Sequence, residues 1–264
     1  MIRLSYSAIK DYFAPYDGEG SHPPCPAAWK YHRELEPVGA APRTFADTGS
    51  LVHSMLDGET DPVTVTDDTA LMFYSKLDAL RQSIGLQVIK GLKHDGAEFF
   101  QKIKILPGVE IVRKIDLIGR VSFYKELILG DWKTSGAIFK SLESDPKIVP
   151  QALSMQGITY LIPPEQKHLD RLGIKKWPRR LLYFVAGFRG SPTWFEYEYS
   201  KIDHENLLDA AATVATAIRE DRFPKIRDKH CLKCPFVGPC FDQKGWRRQF
   251  RKKQHGERKM SDKR

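Results

Sequence analysis

Hydrophobic and polar positions follow two different periods along the chain, and the changes of period predict its elements. Apolar residues three or four positions apart are typical of amphipathic helices, which we predict at residues 47–59, 67–85, 149–161 and 202–220. Runs rich in Val, Ile and aromatic residues predict strands at 98–106, 109–121, 126–132, 181–188 and 193–199. Shorter helices are expected to end near Tyr12 and to begin near Trp29. This order predicts an α/β fold in which a mixed central sheet is flanked by helices.

Two consecutive strands form a predicted hairpin in residues 114–134, KIDLIGRVSFYKELILGDWKT. Asp116 lies within the first strand, and Asp131 and Lys133 lie at the end of the second. Because side chains alternate between the two faces of a strand, Asp131 and Lys133 are expected to share one face. A hairpin can also bring Asp116 beside Asp131. Two carboxylates and a lysine at one place can bind a hard divalent metal and activate a water molecule.

The D-x-K motif also has an ordinary interpretation. An aspartate and a lysine at the end of a strand often form a solvated ion pair that contributes little to stability. A motif this short does not distinguish catalysis from such a pair. The choice between the two interpretations therefore depends on the rest of the chain.

Positive charge is concentrated at one end of the chain. The formal net charge is +9, and residues 244–264 contain ten Lys and Arg but two Asp and Glu, so the other 243 residues carry +1. A basic segment of this kind is typical of a disordered arm that binds nucleic-acid phosphates, and the alternative is a tail that only increases solubility. The predicted DNA contacts in this tail are Arg247, Arg248, Arg251, Lys252 and Lys253.

Length and composition are those of a soluble globular protein. The 264 residues, of which 41% are hydrophobic, suffice for one large domain or two small ones. No run of 18 apolar residues is present, so no membrane span is expected. The first residues, MIRLSYSAIKDYF, lack the apolar core and cleavage site of a signal peptide. A cytoplasmic location is therefore expected.

The four cysteines indicate a metal centre. Cys231, Cys234 and Cys240 form a C-x2-C-x5-C cluster, and Cys25 stands alone in PPCPAAWKY. In a chain without a secretion signal, clustered cysteines favour a metal over disulfides. Four thiolates suit zinc or an iron–sulfur cluster, and the single C-x2-C knuckle favours iron–sulfur over a zinc ribbon. Free buried thiols are the remaining alternative.

Three further polar residues are candidates only in combination with the hairpin. His53 lies beside the apolar stripe of the helix at 47–59, where a histidine is more often packed than a metal ligand. Gln156 and Tyr160 are four positions apart in the helix at 149–161 and so share one face. By themselves these two residues are an ordinary helix surface pair.

Six short motifs, in family order, resemble the RecB-like branch of the PD-(D/E)XK nucleases. They are LSYSAIKDYF followed by CPAAWKY, GSLVHSML, VRKIDLIG, LILGDWKT, QGITY and CLKCPFVGPC, and they span residues 4–240. More narrowly, the chain is similar to the iron–sulfur subgroup, which includes the CRISPR-adaptation nucleases and the nuclease domain of AddB. The resemblance implies a restriction-endonuclease-like core at 1–243, an iron–sulfur clamp joining its N- and C-terminal segments, and a separate basic tail.

The resemblance also implies roles for single residues. The implied catalytic and metal-binding set consists of His53, Asp116, Asp131, the Trp132 carbonyl, Lys133, Gln156 and Tyr160. The first four would hold Mg²⁺ or Mn²⁺, the lysine would act on the attacking water or the developing charge, and the last two would border the site. The four cysteines would be the ligands of a [4Fe–4S] cluster, with zinc as the alternative.

Some positions depart from the family pattern. Where family members often have a glycine, two or three residues before Asp116, this chain has Arg113 and Lys114, which we predict to contact DNA phosphate or to face solvent. Glu98 is a weaker candidate for a second metal site. The P-loop pattern of helicases is absent, so any unwinding is expected to come from a partner.

The resulting prediction is a Mg²⁺- or Mn²⁺-dependent DNA nuclease, specifically an exonuclease acting on single-stranded DNA or DNA ends. A non-catalytic iron–sulfur scaffold or DNA-binding protein of the same fold is the first alternative. A zinc-stabilised binding module is the second. The resemblance implies DNA as the substrate and a helicase, recombination or CRISPR-adaptation protein as a partner, and a phage-type role is equally compatible.

Overall fold

The computed structural model describes residues 1–13, 25–34, 44–89, 99–134, 151–224 and 240. The chain divides into two compact units, each made of two separate segments. The larger unit consists of Met1–Tyr6 and Pro42–Ala212, and the smaller unit consists of Ser7–Ala41 and Thr213–Arg264.

Local sequence signals fix the ends of several helices. In the described ranges the helices are α1 (Tyr6–Phe13), α2 (Pro26–Glu34), α3 (Thr44–Leu56), α4 (Asp68–Ser83), α5 (Gln151–Leu161), α6 (Gln166–Leu172) and α7 (Lys201–Glu220). The Asp67 carboxylate caps α4, because it accepts from the backbone N–H groups of Thr69 and Ala70 at 2.9 and 3.1 Å. α6 ends at Gly173, whose φ of 65° favours glycine. No helix in the described part of the chain combines the length and the apolar character that crossing a membrane requires.

The strands of the described residues form two mixed sheets. They are β1 (Ile2–Ser5), β2 (Gln87–Val88), β3 (Phe99–Leu106), β4 (Val109–Ile115), β5 (Leu117–Arg120), β6 (Ile128–Thr134), β7 (Arg180–Ala186) and β8 (Thr193–Glu198). One sheet has the order β1-β4-β3 and the other has the order β2-β5-β6-β7-β8. The pairs β1–β4 and β6–β7 are parallel, and the other neighbours are antiparallel. The mixed α/β class predicted from the sequence is confirmed.

β5 and β6 form the predicted hairpin at the centre of the five-stranded sheet. Leu117 lies opposite Gly130 in their antiparallel register. Asp116 lies between β4 and β5, where the chain passes from the three-stranded sheet to the five-stranded one. On its other side β6 pairs with β7, so that Asp131 lies opposite Tyr183. The hairpin that carries the candidate site is therefore supported by a paired strand on each side of β6.

The main core of the larger unit forms where α3 and α4 pack against the five-stranded sheet. β7 is buried from Leu181 to Ala186, as expected for a strand that is covered on both faces. The rings of Trp132 and Phe184 lie 4.7 Å apart in this core. The helices contribute the apolar residues at helical spacing, among them Val52, Met55, Phe73 and Leu77.

Trp29 is a buried residue of the smaller unit. The indole N–H of Trp29 donates to the carbonyl of Ala8 at 2.8 Å. Its ring stacks on Phe223 with 5.8 Å between ring centres, and the neighbouring Lys30 forms an ion pair with Asp221 at 2.5 Å. These contacts join segments from distant parts of the sequence.

Three features of the fold differ from the sequence prediction. The strand predicted at 109–121 is interrupted at Asp116, and its two halves pair in different sheets, so two sheets replace the single expected one. The first half pairs with β1, which begins at residue 2 and was not predicted. β1, β2 and α6 were all missed, because segments of 4, 2 and 7 residues are too short to show a clear period.

Candidate active site

Asp116 and Asp131 lie side by side at the break between β4 and β5. The side chain of Asp131, near the middle of β6, is 2% exposed, and that of Asp116 is 9% exposed. The backbone N–H of Trp132 donates to Asp116 Oδ2 at 2.9 Å. The hairpin therefore brings the two carboxylates together, as the sequence predicts.

Lys133 adds a positive charge to the same face of β6. Its ammonium group forms an ion pair with Asp131 Oδ2. Its Nζ lies 5.8 Å from the centre of the Tyr183 ring, within the range of a cation–π interaction. The Lys133 side chain is 20% exposed, so it links the buried carboxylate to the solvent side of the site. A cation at this position can attract a phosphate oxygen.

His53, on α3, faces the backbone of β6. Its Nε2 lies 3.2 Å from the Trp132 carbonyl oxygen, and since a carbonyl only accepts, Nε2 carries the proton and donates. Its Nδ1 lies 3.6 Å from Asp116 Oδ2. Two predicted metal ligands, His53 and the Trp132 carbonyl, thus contact each other beside Asp116.

Gln156 and Tyr160 project from α5 towards Asp131. The Gln156 amide donates to Tyr160 Oη at 3.0 Å and to Asp131 Oδ1 at 3.4 Å. The Tyr160 hydroxyl donates to Asp131 Oδ1 at 3.3 Å. Because Lys133 pairs with Oδ2, the two oxygens of Asp131 are held from different elements. The predicted helix pair is therefore directed towards the carboxylates.

Burial changes the pKa values of the groups in this site. Burial and the charge of Asp131 raise the pKa of Asp116 well above its usual value, although Lys133 and the Trp132 amide act in the opposite direction. Burial lowers the pKa of His53 despite the attraction of Asp131, so the imidazole is neutral at pH 7. Burial and the two carboxylates raise the pKa of Tyr160 well above its usual value, so its hydroxyl remains a donor.

A match to one family model identifies the superfamily to which the chain belongs. The model of the PD-(D/E)XK nuclease superfamily matches residues 23–241, a segment that contains every residue of the site described above. The chain belongs to the PD-(D/E)XK nuclease superfamily. Asp131, Trp132 and Lys133 agree with the (D/E)-X-K pattern in the superfamily's name.

Solved structures resemble this nuclease only distantly. A proposed exonuclease from Eubacterium rectale is 16% identical over 84% of each chain, with a TM-score of 0.47. The alkaline exonuclease LHK-Exo from Laribacter hongkongensis is 9% identical over 83% of this chain and 89% of its own, with a TM-score of 0.37. The protein SSO0001 is 12% identical over 89% and 84%, with a TM-score of 0.38. No curated protein matches the sequence at a significant level.

The donor set of the site fits a hard divalent cation, and nucleases of this superfamily generally use divalent metals such as Mg²⁺. The raised pKa of Asp116 reflects burial and repulsion between two carboxylates, and a bound cation would relieve that repulsion. Within the described residues, no group of three or more His, Cys, Asp or Glu side chains forms a metal site. Mg²⁺ does not require one, because it commonly binds one or two carboxylates and retains several waters. Asp116, Asp131 and the Trp132 carbonyl therefore fit such a cation, and their role as its ligands stays a prediction, as does that of His53.

The structure contradicts one predicted DNA contact, that of Arg113. The residue is 3% exposed, and its guanidinium group donates to Gln101 Oε1 and to two backbone carbonyls. Arg113 lies on the buried face of β4, whereas Lys114, the next residue, is exposed on the opposite face. Phosphate cannot reach Arg113 in this arrangement, and Lys114 stays a predicted contact.

Several predicted residues lie in the smaller unit or outside the described ranges. Cys25 and Cys240 are half-buried and both belong to the smaller unit. The structure does not describe Cys231, Cys234, Glu98, or the tail residues Arg247, Arg248, Arg251, Lys252 and Lys253. The ligand set of the cysteines and the DNA contacts of the tail thus stay predictions.

Sequence reasoning missed two aromatic residues that support the site. The indole N–H of Trp177 donates to the Tyr160 carbonyl at 2.9 Å. The Tyr183 hydroxyl donates to the Leu153 carbonyl at 2.7 Å. Both bonds hold α5, the helix that carries Gln156. No short motif marks these residues, and the general tendency of buried Trp and Tyr to find a hydrogen-bond partner was the only available signal.

Proposed function

We propose that this protein is a metal-dependent deoxyribonuclease that hydrolyses phosphodiester bonds. The observation that supports the proposal most strongly is the convergence of Asp116, Asp131 and Lys133 within a chain of the PD-(D/E)XK superfamily. An ordinary surface ion pair does not explain this arrangement, because the side chains of Asp131 and Asp116 are only 2% and 9% exposed and the pKa of Asp116 is raised.

The residues of the site have separate proposed roles in hydrolysis. His53, Asp116, Asp131 and the Trp132 carbonyl would hold Mg²⁺ or Mn²⁺. A bound divalent cation supplies Lewis-acid chemistry, which neutralises phosphate charge and makes water a better nucleophile. Lys133 then stabilises the negative charge that develops on the phosphate or orients the attacking water.

Gln156 and Tyr160 orient the Asp131 carboxylate. Their polar hydrogens both point to Asp131 Oδ1, so rotation of the carboxylate breaks two hydrogen bonds. A carboxylate held in one orientation would keep a bound cation in one position. This favours catalysis, because small displacements of reacting groups reduce reaction rates strongly. The family resemblance implies that both residues also help to position DNA or the attacking water.

The proposed substrate is single-stranded DNA or a DNA end, and the proposed mode is exonucleolytic. This part of the proposal rests on the sequence resemblance to RecB-like nucleases. Lys114 and the basic tail are the proposed phosphate contacts. A helicase, recombination or CRISPR-adaptation protein is the proposed partner, since any unwinding would have to be supplied to the nuclease, and the proposed location is the cytoplasm.

A comparison of Lys133→Ala with wild type tests the nuclease function. The substrate is end-labelled linear DNA, single- or double-stranded, with Mg²⁺ or Mn²⁺. We expect wild type to degrade it and Lys133→Ala to be slower by at least about 10²-fold, the effect of losing one group that stabilises a transition-state charge. Lys125→Ala is the matched control, because Lys125 is an exposed lysine in the connection of the same hairpin.

The products of the same reaction separate the alternatives. A ladder that shortens from one end indicates an exonuclease and gives its polarity, whereas fragments from internal cuts indicate an endonuclease. If wild type binds DNA but cuts none under any of these conditions, the nuclease function is wrong and the scaffold alternative takes its place.

The cysteines are proposed to hold a [4Fe–4S] cluster, with zinc as the alternative. Cys25 and Cys240 come from opposite ends of the sequence and yet belong to one compact unit, which supports a shared site with Cys231 and Cys234. Iron, sulfide and zinc analysis of protein purified without oxygen distinguishes the two metals. Protein that contains neither iron nor zinc contradicts both.

A further inference from the structure

Arg113 is a buried cation whose guanidinium group binds the end of a catalytic helix. It donates through Nε to Gln101 Oε1 at 2.7 Å and through NH1 to the carbonyls of Thr159 and Tyr160, the latter at 2.7 Å. Those carbonyls belong to the last turn of α5, where backbone oxygens have no partner within the helix. The negative end of the helix dipole also lies here, so a cation is favoured at this place.

Trp177 completes the contact with α5. Its indole N–H donates to the same Tyr160 carbonyl at 2.9 Å. The guanidinium carbon of Arg113 lies 4.9 Å from the centre of the Trp177 ring, so the cation is also held by the aromatic face. Trp177 is itself buried. The C-terminal turn of α5 is therefore held by one cation and one indole that contact each other.

These contacts connect the two elements that determine the geometry of the site. Arg113 lies on β4, which is followed directly by Asp116. The α5 turn that it binds includes Tyr160, whose hydroxyl reaches Asp131 Oδ1. A shift of α5 relative to β4 changes the separation of Asp116 from the Gln156–Tyr160 pair. Arg113 and Trp177 together oppose that shift.

Arginine at position 113 is not explained by stability alone, because burial disfavours the charged guanidinium group. Burial lowers the pKa of Arg113 well below its usual value, and no carboxylate in the described part of the chain forms an ion pair with it. An apolar side chain would fill this place at lower cost to stability. The planar guanidinium group has its donors in a fixed arrangement that binds Gln101 and two carbonyls simultaneously.

We propose that Arg113 and Trp177 are positioning residues, which fix α5 against β4 and thereby hold the Asp131 carboxylate in the geometry that metal binding and cleavage require. The inference deepens the proposed nuclease function and rests on it. Both residues contact the backbone carbonyl of Tyr160, and no hydrogen bond joins either of them to Asp116 or Asp131 in the described part of the chain. Their effect passes through the backbone of Tyr160 and then through its hydroxyl.

The test compares Trp177→Phe and Arg113→Lys with wild type. Phenylalanine keeps an aromatic ring beside the guanidinium and removes the indole donor. Lysine keeps the positive charge and removes the planar set of guanidinium N–H donors. Trp194→Phe is the matched control, because Trp194 stacks on Phe123 at 5.0 Å, away from α5. All variants are assayed well below their own melting temperatures, so that loss of folded protein does not contribute.

Two readouts distinguish positioning from a purely structural role. We expect Mn²⁺ affinity, measured by calorimetry without DNA, to fall about tenfold in both variants, as for other residues that orient a metal ligand. We expect the maximal cleavage rate to fall by a similar factor, with the half-saturating DNA concentration within about twofold of wild type. Trp194→Phe should match wild type in both readouts.

The outcomes separate this inference from the nuclease proposal. Variants that melt earlier but keep wild-type Mn²⁺ affinity and cleavage rate overturn the positioning role. A wild type that binds Mn²⁺ and cuts no DNA overturns the nuclease function, while reduced Mn²⁺ affinity in the variants still supports positioning. A wild type that neither binds Mn²⁺ nor cuts DNA overturns both.

Discussion

Asp116 is the residue whose ionisation most clearly opposes folding. Its pKa is raised well above 3.8, first by burial and then by the Asp131 carboxylate. An acid with a raised pKa binds more protons in the folded state than in the unfolded state over the pH range between its two pKa values. Its contribution to stability is therefore complete at low pH and is lost as the pH rises through the folded pKa.

Replacing Asp116 with Asn removes this charge and keeps an oxygen that can accept from the Trp132 N–H. We expect metal-free Asp116→Asn to be more stable than metal-free wild type at neutral pH, by on the order of 1–2 kcal/mol. The difference should shrink as the pH falls towards about 4, because Asp116 is then protonated in wild type. Urea unfolding in EDTA at several pH values measures it.

Asp170→Asn is the control for this measurement, since Asp170 is exposed on α6. It should change the free energy of unfolding by less than about 0.5 kcal/mol at every pH. Added Mn²⁺ should stabilise wild type and should stabilise Asp116→Asn much less. An Asp116→Asn variant that is less stable than wild type across the whole pH range contradicts the assigned cause of the raised pKa.

Among the elements, α5 packs closely against β8 at Gly157. A Cβ atom on Gly157 would lie 2.7 Å from Cε1 and 2.9 Å from Cγ of Tyr197 on β8. Gly49 on α3 is a helical glycine with more space, because its nearest contact would be Thr134 Oγ1 at 3.4 Å. Substitution of each glycine with alanine therefore adds the same methyl group, at a crowded position in α5 and at an uncrowded position in α3.

We expect Gly157→Ala to destabilise the protein by about 1–3 kcal/mol, because the methyl group forces α5 away from β8. The shift should also weaken the bonds from Gln156 and Tyr160 to Asp131 and lower the cleavage rate. Gly49→Ala should be neutral or stabilising by up to about 1 kcal/mol, since alanine favours a helix. Thermal or urea unfolding of both variants measures the contrast, and equal effects would show that α5 does not pack closely on β8.

The hairpin of β5 and β6 could be predicted because its signals are local. Two apolar runs with a polar connection specify the pairing, and the period of two puts Asp131 and Lys133 on one face. The helix of Gln156 and Tyr160 was equally readable from spacing. Their direction towards Asp131 followed only from the family resemblance, since helical spacing does not say which neighbour a face meets.

The burial of Arg113 could have been predicted from the sequence, although solvent or DNA contact was predicted instead. In β4 the residues at alternate positions, Val109, Ile111 and Ile115, are all buried, and Arg113 belongs to that series. A strict use of the period of two places it inside, but its charge favoured solvent. What the sequence could not supply were its partners, because Gln101, Tyr160 and Trp177 come from three other parts of the fold.

At the scale of the whole molecule, charge and catalysis are placed in different segments. The candidate site lies entirely in the larger unit, between His53 and Tyr183 in sequence. Residues 1–243 carry a formal charge of +1, whereas residues 244–264 carry +8. A nearly neutral body gives little long-range attraction for DNA, so most of the sequence-independent affinity is expected to come from the tail.

Deleting residues 244–264 tests this division of roles. We expect affinity for single-stranded DNA at about 50 mM salt to fall on the order of 10²- to 10³-fold, and the dependence of log affinity on log salt to become flatter by about 0.7 for each phosphate that the tail no longer neutralises. The cleavage rate at saturating DNA should stay within about twofold, because no tail residue belongs to the proposed catalytic set. Fluorescence anisotropy of a labelled oligonucleotide across a salt series measures the binding.

A full-length control with the tail sequence shuffled should bind like wild type, since counterion release depends on charge rather than on order. If the deletion leaves both the affinity and its salt dependence unchanged, DNA binds instead to the folded body, where the exposed Lys114 beside the catalytic hairpin becomes the first residue to substitute.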